Sequence, residues 1–211
     1  MKERPKTTLH PVFIVYRRPM FFTDKVLQLA GAGDFIHCEL FIPEKLATFG
    51  IFLGGKMQMR SDLCALYVEK PELFSWHRLD LDDLEFESFM NYNIDLVNKC
   101  KYNTSDLLFQ LLPKSFLRVM VEDLDHNEER HPQKLFCSQA ILLTLRNCVR
   151  EGTRNAAMLS VVKNTNSRLV TPTDLSHLLY PLLGSPQNSP VLTQGILGQL
   201  KASVHERYYF S

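Results

Sequence analysis

Residues 134–149 read KLFCSQAILLTLRNCV, and they follow a polar, acid-rich stretch, EDLDHNEERHPQ, at 122–133. The abrupt change from charged to apolar marks the start of a helix with a strongly apolar body. Cys137 falls at that start, with Ser138 and Gln139 in the first turn. A thiol serves as a nucleophile in its thiolate form, and the free N–H groups and dipole of a helix N-terminus favour that charge. The same N–H groups are placed to receive an oxyanion. The plainer reading is a buried cysteine that fills space, the usual fate of a thiol in a globular chain.

Upstream, DFIHCELFI at 34–42 alternates as a strand, with His37 in the middle of an otherwise apolar segment. A polar side chain there needs a partner to offset its burial. Glu39 shares its face at i+2, and a carboxylate beside an imidazole fixes the tautomer and supports the cationic form. A satisfied core or edge histidine is the alternative. Cys38 should point to the opposite face, into the core, and Cys64, Cys100 and Cys148 read as packing thiols.

The rest of the chain divides into a strand-rich first part and a helical second part. PVFIVY at 11–16 is a compact β-branched and aromatic run, read as a buried strand. Phe21 to Leu29 has helical spacing and stops at Gly31-Ala32-Gly33. Further strands are expected at 47–53, 56–62 and 73–81. Helices are expected at 83–99, from Ser105 to Leu112, at 156–163 and at 173–183, the last opened by Pro172 and Thr173. GSPQNSP at 184–190 reads as a linker, giving a domain at 1–183 and a linker and tail or docking segment at 184–211.

With 211 residues, 45% hydrophobic and 22% charged, the chain can bury one substantial core. Its 24 Lys and Arg against 23 Asp and Glu leave a formal charge of +1, which gives no electrostatic reason to favour nucleic acid. The apolar run near the N-terminus is too short for an export signal or a membrane span. Five cysteines, odd in number and without CxxC pairs, read as reduced thiols in a cytoplasmic setting rather than a zinc site. His126 and His131 sit in the charged loop. His10, His77, His177 and His205 occur singly, so no metal or other cofactor is expected. G-x-S-x-G, P-loop and dinucleotide fingerprints are lacking.

Five segments in order resemble a known family. PVFIVY with its following helix, the His-x-Glu strand HCELFI, KYNTSDLLFQLL with its Tyr-Asn, the aromatic-Cys-Ser-Gln start KLFCSQAILLTL, and TPTDLSHLL together span Pro11 to Leu183. They are similar to the circularly permuted branch of the NlpC-type papain-like superfamily. That branch includes the bacterial YiiX group, lecithin:retinol acyltransferase relatives, PPPDE peptidases and a poxvirus protein, and in it the His-bearing strand precedes the Cys-bearing helix. The resemblance implies an α+β papain-like fold, a small antiparallel sheet packed against helices. It implies Cys137 as nucleophile, His37 as general base and Glu39 as the favoured orienting group, with Gln58 or Asp62 as alternatives on a following strand. Backbone N–H groups near Cys137 and Ser138 would hold the oxyanion. Gln139 stands where relatives often have Glu. The activity implied is that of a cysteine protease, amidase or acyltransferase on a peptide, isopeptide or lipid-acyl substrate; a viral origin would put it in the host cytoplasm. Two other classes stay open: a binding module in which Cys and His are relics, and a structural protein whose tail, RYYFS at 207–211, docks a protein partner.

Overall fold

A computed structural model describes residues 8–28, 33–52, 55–103 and 134–187. The helix expected from Ser105, the acid-rich loop 122–133 and the tail from 188 onward lie outside the described residues, as does most of the Gly31-Ala32-Gly33 stop.

The chain is α+β. Five strands form one antiparallel sheet: β1 (Leu9–Arg17), β2 (His37–Ile42), β3 (Ala47–Ile51), β4 (Met57–Arg60) and β5 (Phe74–Asp82), in the order β4-β3-β2-β1-β5. β1 is the central partner of β2 and β5 and is covered on both faces, which is why Val12 to Tyr16 form an unbroken apolar run instead of an alternating one. One face sends Val12, Ile14, Tyr16, Cys38, Leu40, Ile42, Phe49 and Leu79 into the main core. There they meet α3 (Asp83–Lys99), α4 (Cys137–Cys148), α5 (Ala156–Lys163) and α6 (Pro172–Leu183). The other face packs Phe13, Val15, Phe41, Phe74 and Trp76 under α2 (Leu63–Glu69), which adds Tyr67. A short α1 (Phe22–Leu27) follows β1, and β6 (Lys101–Tyr102) pairs in parallel with β7 (Lys134–Leu135) just ahead of α4.

Three expectations change. No strand runs to Asp62; β4 ends at Arg60, and α2, which the sequence did not announce, starts at Leu63. His37 opens its strand instead of sitting in the middle of it. Gly184 to Gln187, read as the start of a linker, is held to the sheet: Trp76 N–H donates to Gln187 O (3.0 Å) and Gln187 N–H returns to Trp76 O (2.9 Å). His77 Nε2 lies 2.9 Å from Gly184 O, and the Tyr16 hydroxyl is 3.0 Å from His77 Nδ1. Burial lowers the pKa of His77 to about 4.

α3 begins with a capping box in which Asp82 accepts from Glu85 N–H (2.8 Å). The buried Glu85 carboxylate then gathers the 150–155 turn, accepting from Thr153 Oγ1 (2.6 Å) and Asn155 Nδ2 (2.8 Å). Opposite the site described below, His10 is clasped between two carboxylates, Nδ1 2.8 Å from Glu44 Oε1 and Nε2 2.9 Å from Asp83 Oδ1, with its ring stacked 4.4 Å from Phe86. The hydrogen bond to Asp83 foremost, with help from Glu44 and against the effect of burial, raises its pKa.

A histidine raised in the folded state stabilises fully below its unfolded value, and that contribution fades as pH rises through the folded one. The melting-temperature gap between wild type and His10→Ala should therefore be widest below about pH 6.5 and narrow as pH rises above it. A gap that stays constant over that range would mean the two carboxylates do not bias His10.

Candidate active site

Phe136 is the N-cap of α4, its backbone extended, so Cys137 is the first helical residue. By position, the N–H groups of Cys137, Ser138 and Gln139 have no intrahelical acceptor; the first such bond runs from Ala140 N–H to Phe136 O (3.0 Å). Every residue from Cys137 to Leu145 is buried, Cys137 itself being 5% exposed. β6 and β7 bring Tyr102 and Asn103 alongside this start, with Asn103 N–H donating to Leu135 O (2.8 Å).

α4 packs across β2, where Cys38 faces the helix layer and His37 holds the strand's first position, and both act on the titration of the Cys137 thiol. Cys38 is core, as its strand face predicts, and it also bears on the titration of the thiol at the helix start. The Cys38 hydrogen bond foremost, together with the bond and charge of His37 and the Cys38 backbone, holds Cys137 well below the usual thiol range against the opposing effect of burial. Cys38 moves the other way, its thiol pushed up chiefly by burial.

Glu39 lies on the far side of His37. Its Oε2 is 4.0 Å from His37 Nε2, and its Oε1 accepts from the Tyr67 hydroxyl (2.6 Å). At 4.0 Å the carboxylate acts on the ring by charge and not through a hydrogen bond. Burial raises the Glu39 pKa, opposed by His37, Tyr67, Arg17 and Arg60. Tyr67 is fixed in turn by edge contacts with Phe41, Phe74 and Trp76. Gly50 leaves room for the carboxylate, since a Cβ there would stand 3.3 Å from Glu39 Oε2 and 3.2 Å from Phe52 Cζ. The Phe52 ring lies 4.8 Å from His37, and the Arg60 guanidinium 5.0 Å from Phe52.

Of the other residues singled out from sequence, Asp62 is engaged by Arg60, whose Nε is 2.9 Å from its Oδ1, and not by His37. Gln58 is exposed and pairs across Gly50, one strand removed from Glu39. The Ser138 hydroxyl donates to Val170 O, which leaves its backbone N–H as its means of meeting an oxyanion. Gln139 is buried, and its Oε1 has no hydrogen-bond partner. Cys100 and Cys148 are buried and form no disulfide; the Cys64 side chain lies outside what is described. No cluster of three metal-ligating side chains occurs among the described residues, and no described helix is long and apolar enough to cross a membrane.

One turn ties the two halves of the site together. Val170 O receives Ser138 from α4, and three residues on Thr173 Oγ1 accepts from Phe35 N–H (2.9 Å), just ahead of His37. Gly33, with φ +81°, lies so close to Thr173 that a Cβ would stand 2.6 Å from Oγ1, so this approach requires glycine.

Set against protein-family models, curated proteins and solved structures, the chain matches none.

Tyr67→Phe keeps the ring contacts and deletes the hydrogen bond to a buried carboxylate. Such bonds are worth about 1.5–3 kcal/mol, and urea denaturation at neutral pH should register a loss of that order. An unchanged midpoint would mean that Glu39 does not depend on Tyr67.

Proposed function

We propose that this chain is a papain-like thiol enzyme of the circularly permuted NlpC type, a cysteine hydrolase or acyltransferase in which Cys137 is the nucleophile and His37 its base. The observation that carries this reading is a cysteine that begins a helix packed on the His37 strand and is held below the usual thiol range, by Cys38 foremost and also by His37. A helix start and a neighbouring imidazole are two known means of activating a thiol. The antiparallel sheet packed against helices, with the histidine strand ahead of the cysteine helix, is consistent with it.

In the reaction, His37 takes the Cys137 proton and the thiolate attacks a carbonyl. The N–H groups at the start of α4 receive the oxyanion, and a thioester acyl-enzyme forms as the leaving group takes the proton from His37. Water then releases a carboxylic acid, or an amine or hydroxyl acceptor carries the acyl group away. Glu39, with His37 Nε2 turned toward it, leaves Nδ1 for the thiol and supports the charge that His37 gains. The substrate class is peptide, isopeptide or lipid-acyl. A second reading, a binding module with a silent Cys and His, draws on the 4.0 Å between His37 and Glu39, which leaves Oε2 and Nε2 without hydrogen bonds.

Iodoacetamide alkylation followed by peptide mapping separates the two. Cys137 should be modified rapidly at neutral pH, and the midpoint of its rate against pH should lie below the ordinary thiol value of about 8.5. Cys137→Ala should lose this labelling, and His37→Ala should slow it at least about tenfold near neutrality by moving the midpoint up. Labelling of Cys137→Ala as strong as that of wild type would end the enzyme reading.

A further inference from the structure

The catalytic proposal uses Cys137, His37 and Glu39 but gives no task to Tyr67, which reaches the site from α2. On that face of the sheet Tyr67 packs among Phe13, Val15, Phe41, Phe74 and Trp76. It is 2% exposed, and its ring centre lies 5.6 Å from that of Phe41, 4.9 Å from that of Phe74 and 4.8 Å from that of Trp76, each met edge-on. A phenylalanine would fill this place as well. What tyrosine adds is a hydroxyl, which donates to Glu39 Oε1 at 2.6 Å, the length expected of an O–H bond to a charged oxygen. A carboxylate buried for structure alone needs both of its oxygens satisfied. Glu39 is 3% exposed, yet its Oε2 has no hydrogen-bond partner and lies 4.0 Å from His37 Nε2, which has none either. One oxygen is tied down, and the charge of the other is left to the imidazole.

We propose that Tyr67 is a positioning residue of the thiol site, its hydroxyl fixing the Glu39 carboxylate so that Oε2 is held toward His37. This rests on reading Cys137 as nucleophile and His37 as base. Tyr67 touches no reacting atom and acts through Glu39. Its ring is locked by the three edge contacts, so the hydroxyl arrives from a fixed direction. β2 sets the other end: Glu39 stands opposite Val15 of β1, and His37, two residues earlier, stands opposite Arg17. Gly50 of β3 leaves the Oε2 side open, since a Cβ there would stand 3.3 Å from that oxygen. The carboxylate is thus anchored from α2 and free on the side that meets the imidazole.

The groups that act on Glu39 are His37 on its own strand, Tyr67 on α2, Arg17 on β1 and Arg60 on β4. Each arginine has another carboxylate beside it: Arg17 Nη2 is 3.7 Å from Asp24 Oδ2, and Arg60 Nε is 2.9 Å from Asp62 Oδ1. Burial pushes Glu39 toward its protonated form, and His37 followed by the Tyr67 hydrogen bond opposes it. Deleting the hydroxyl tips the carboxyl toward neutral. A neutral Glu39 no longer supports the cationic imidazole, and the thiolate loses the cation that favours it. The midpoint of Cys137 reactivity against pH therefore moves up. A tyrosine that only filled space would, on removal of its hydroxyl, cost stability and leave that midpoint alone.

The test uses the full chain and the rate of iodoacetamide alkylation at Cys137 against pH, read by peptide mapping. Glu39→Gln should raise the midpoint by about 1 unit, the lower end of the shift that a nearby opposite charge produces. Tyr67→Phe should raise it by about half as much, a roughly threefold slower labelling below the midpoint. In the Glu39→Gln background Tyr67→Phe should add no further shift, because its effect runs through the carboxylate. Phe13→Leu, which loosens the same cluster through its contacts with Phe41 and Trp76, should lower the melting temperature and leave the midpoint in place. 3-Fluorotyrosine at position 67, a stronger donor of nearly the same size, should move the midpoint down, and it serves where Tyr67→Phe does not fold. A midpoint unmoved by either change at position 67 would overturn the positioning role. So would a shift from Phe13→Leu equal to that from Tyr67→Phe, or an undiminished Tyr67→Phe shift once Glu39 is gone. A low wild-type midpoint that His37→Ala raises and Tyr67→Phe does not sinks this inference alone. A wild-type midpoint at the ordinary thiol value of about 8.5, unmoved by His37→Ala, sinks the thiol-enzyme reading with it.

Discussion

The seating of the first turn of α4 on β2 is the constraint on which the rest of the site depends. It puts a thiol where three conditions meet: unbonded helix N–H groups, an imidazole at the end of a strand, and a second thiol beneath. None of these would act on Cys137 if the helix were displaced by a residue or rotated by a third of a turn. The helix is held from below by its apolar body and from the side by α3, where the Thr144 hydroxyl donates to Asn93 Oδ1 (3.1 Å) in an otherwise apolar contact. A buried polar pair of this kind makes a shifted packing costly, because Asn93 Oδ1 would lose its donor inside an apolar contact.

The site is also where the structure leaves polar atoms unsatisfied. His37 Nε2, Glu39 Oε2 and Arg17 Nε are all buried without a hydrogen-bond partner, and they stand close together on one face of the sheet. Each such atom costs about 1–3 kcal/mol when nothing offsets it. Two cores, one on either side of the sheet, carry that cost: the aromatic group under α2 and the larger apolar cluster under the helices. Sites of function are where such local conflicts concentrate.

Much of this was legible in the sequence because it rests on local signals. The compact apolar run Pro11–Tyr16 announced a buried strand, the acidic start and helical spacing of 83–99 announced α3, and the polar-to-apolar change before Cys137 announced α4. What stayed hidden depends on pairing between distant segments. α2 is seven residues long, has no side-chain cap and is flanked by strands, so no periodicity or capping signal exposed it, and Tyr67 was missed with it. Spacing alone could not choose among Glu39, Gln58 and Asp62, since Glu39 and Gln58 share one row across Gly50; which of them meets His37 is decided by sheet register. Cys38 was placed on the correct face, but that this face receives the start of α4 is a fact of tertiary packing.

The turn from Val170 to Thr173 gives the site a temporal order. The His37 strand belongs to the first fifth of the chain and Cys137 to its second half, yet the residues that fasten Ser138 and Phe35 come later still, at the entrance to α6. During synthesis the N-terminal elements leave the ribosome first. A nascent chain that already displays both Cys137 and His37 still lacks the clasp that sets them in register. Cys137 and His37 are therefore fixed in place only once the last described helix has been made.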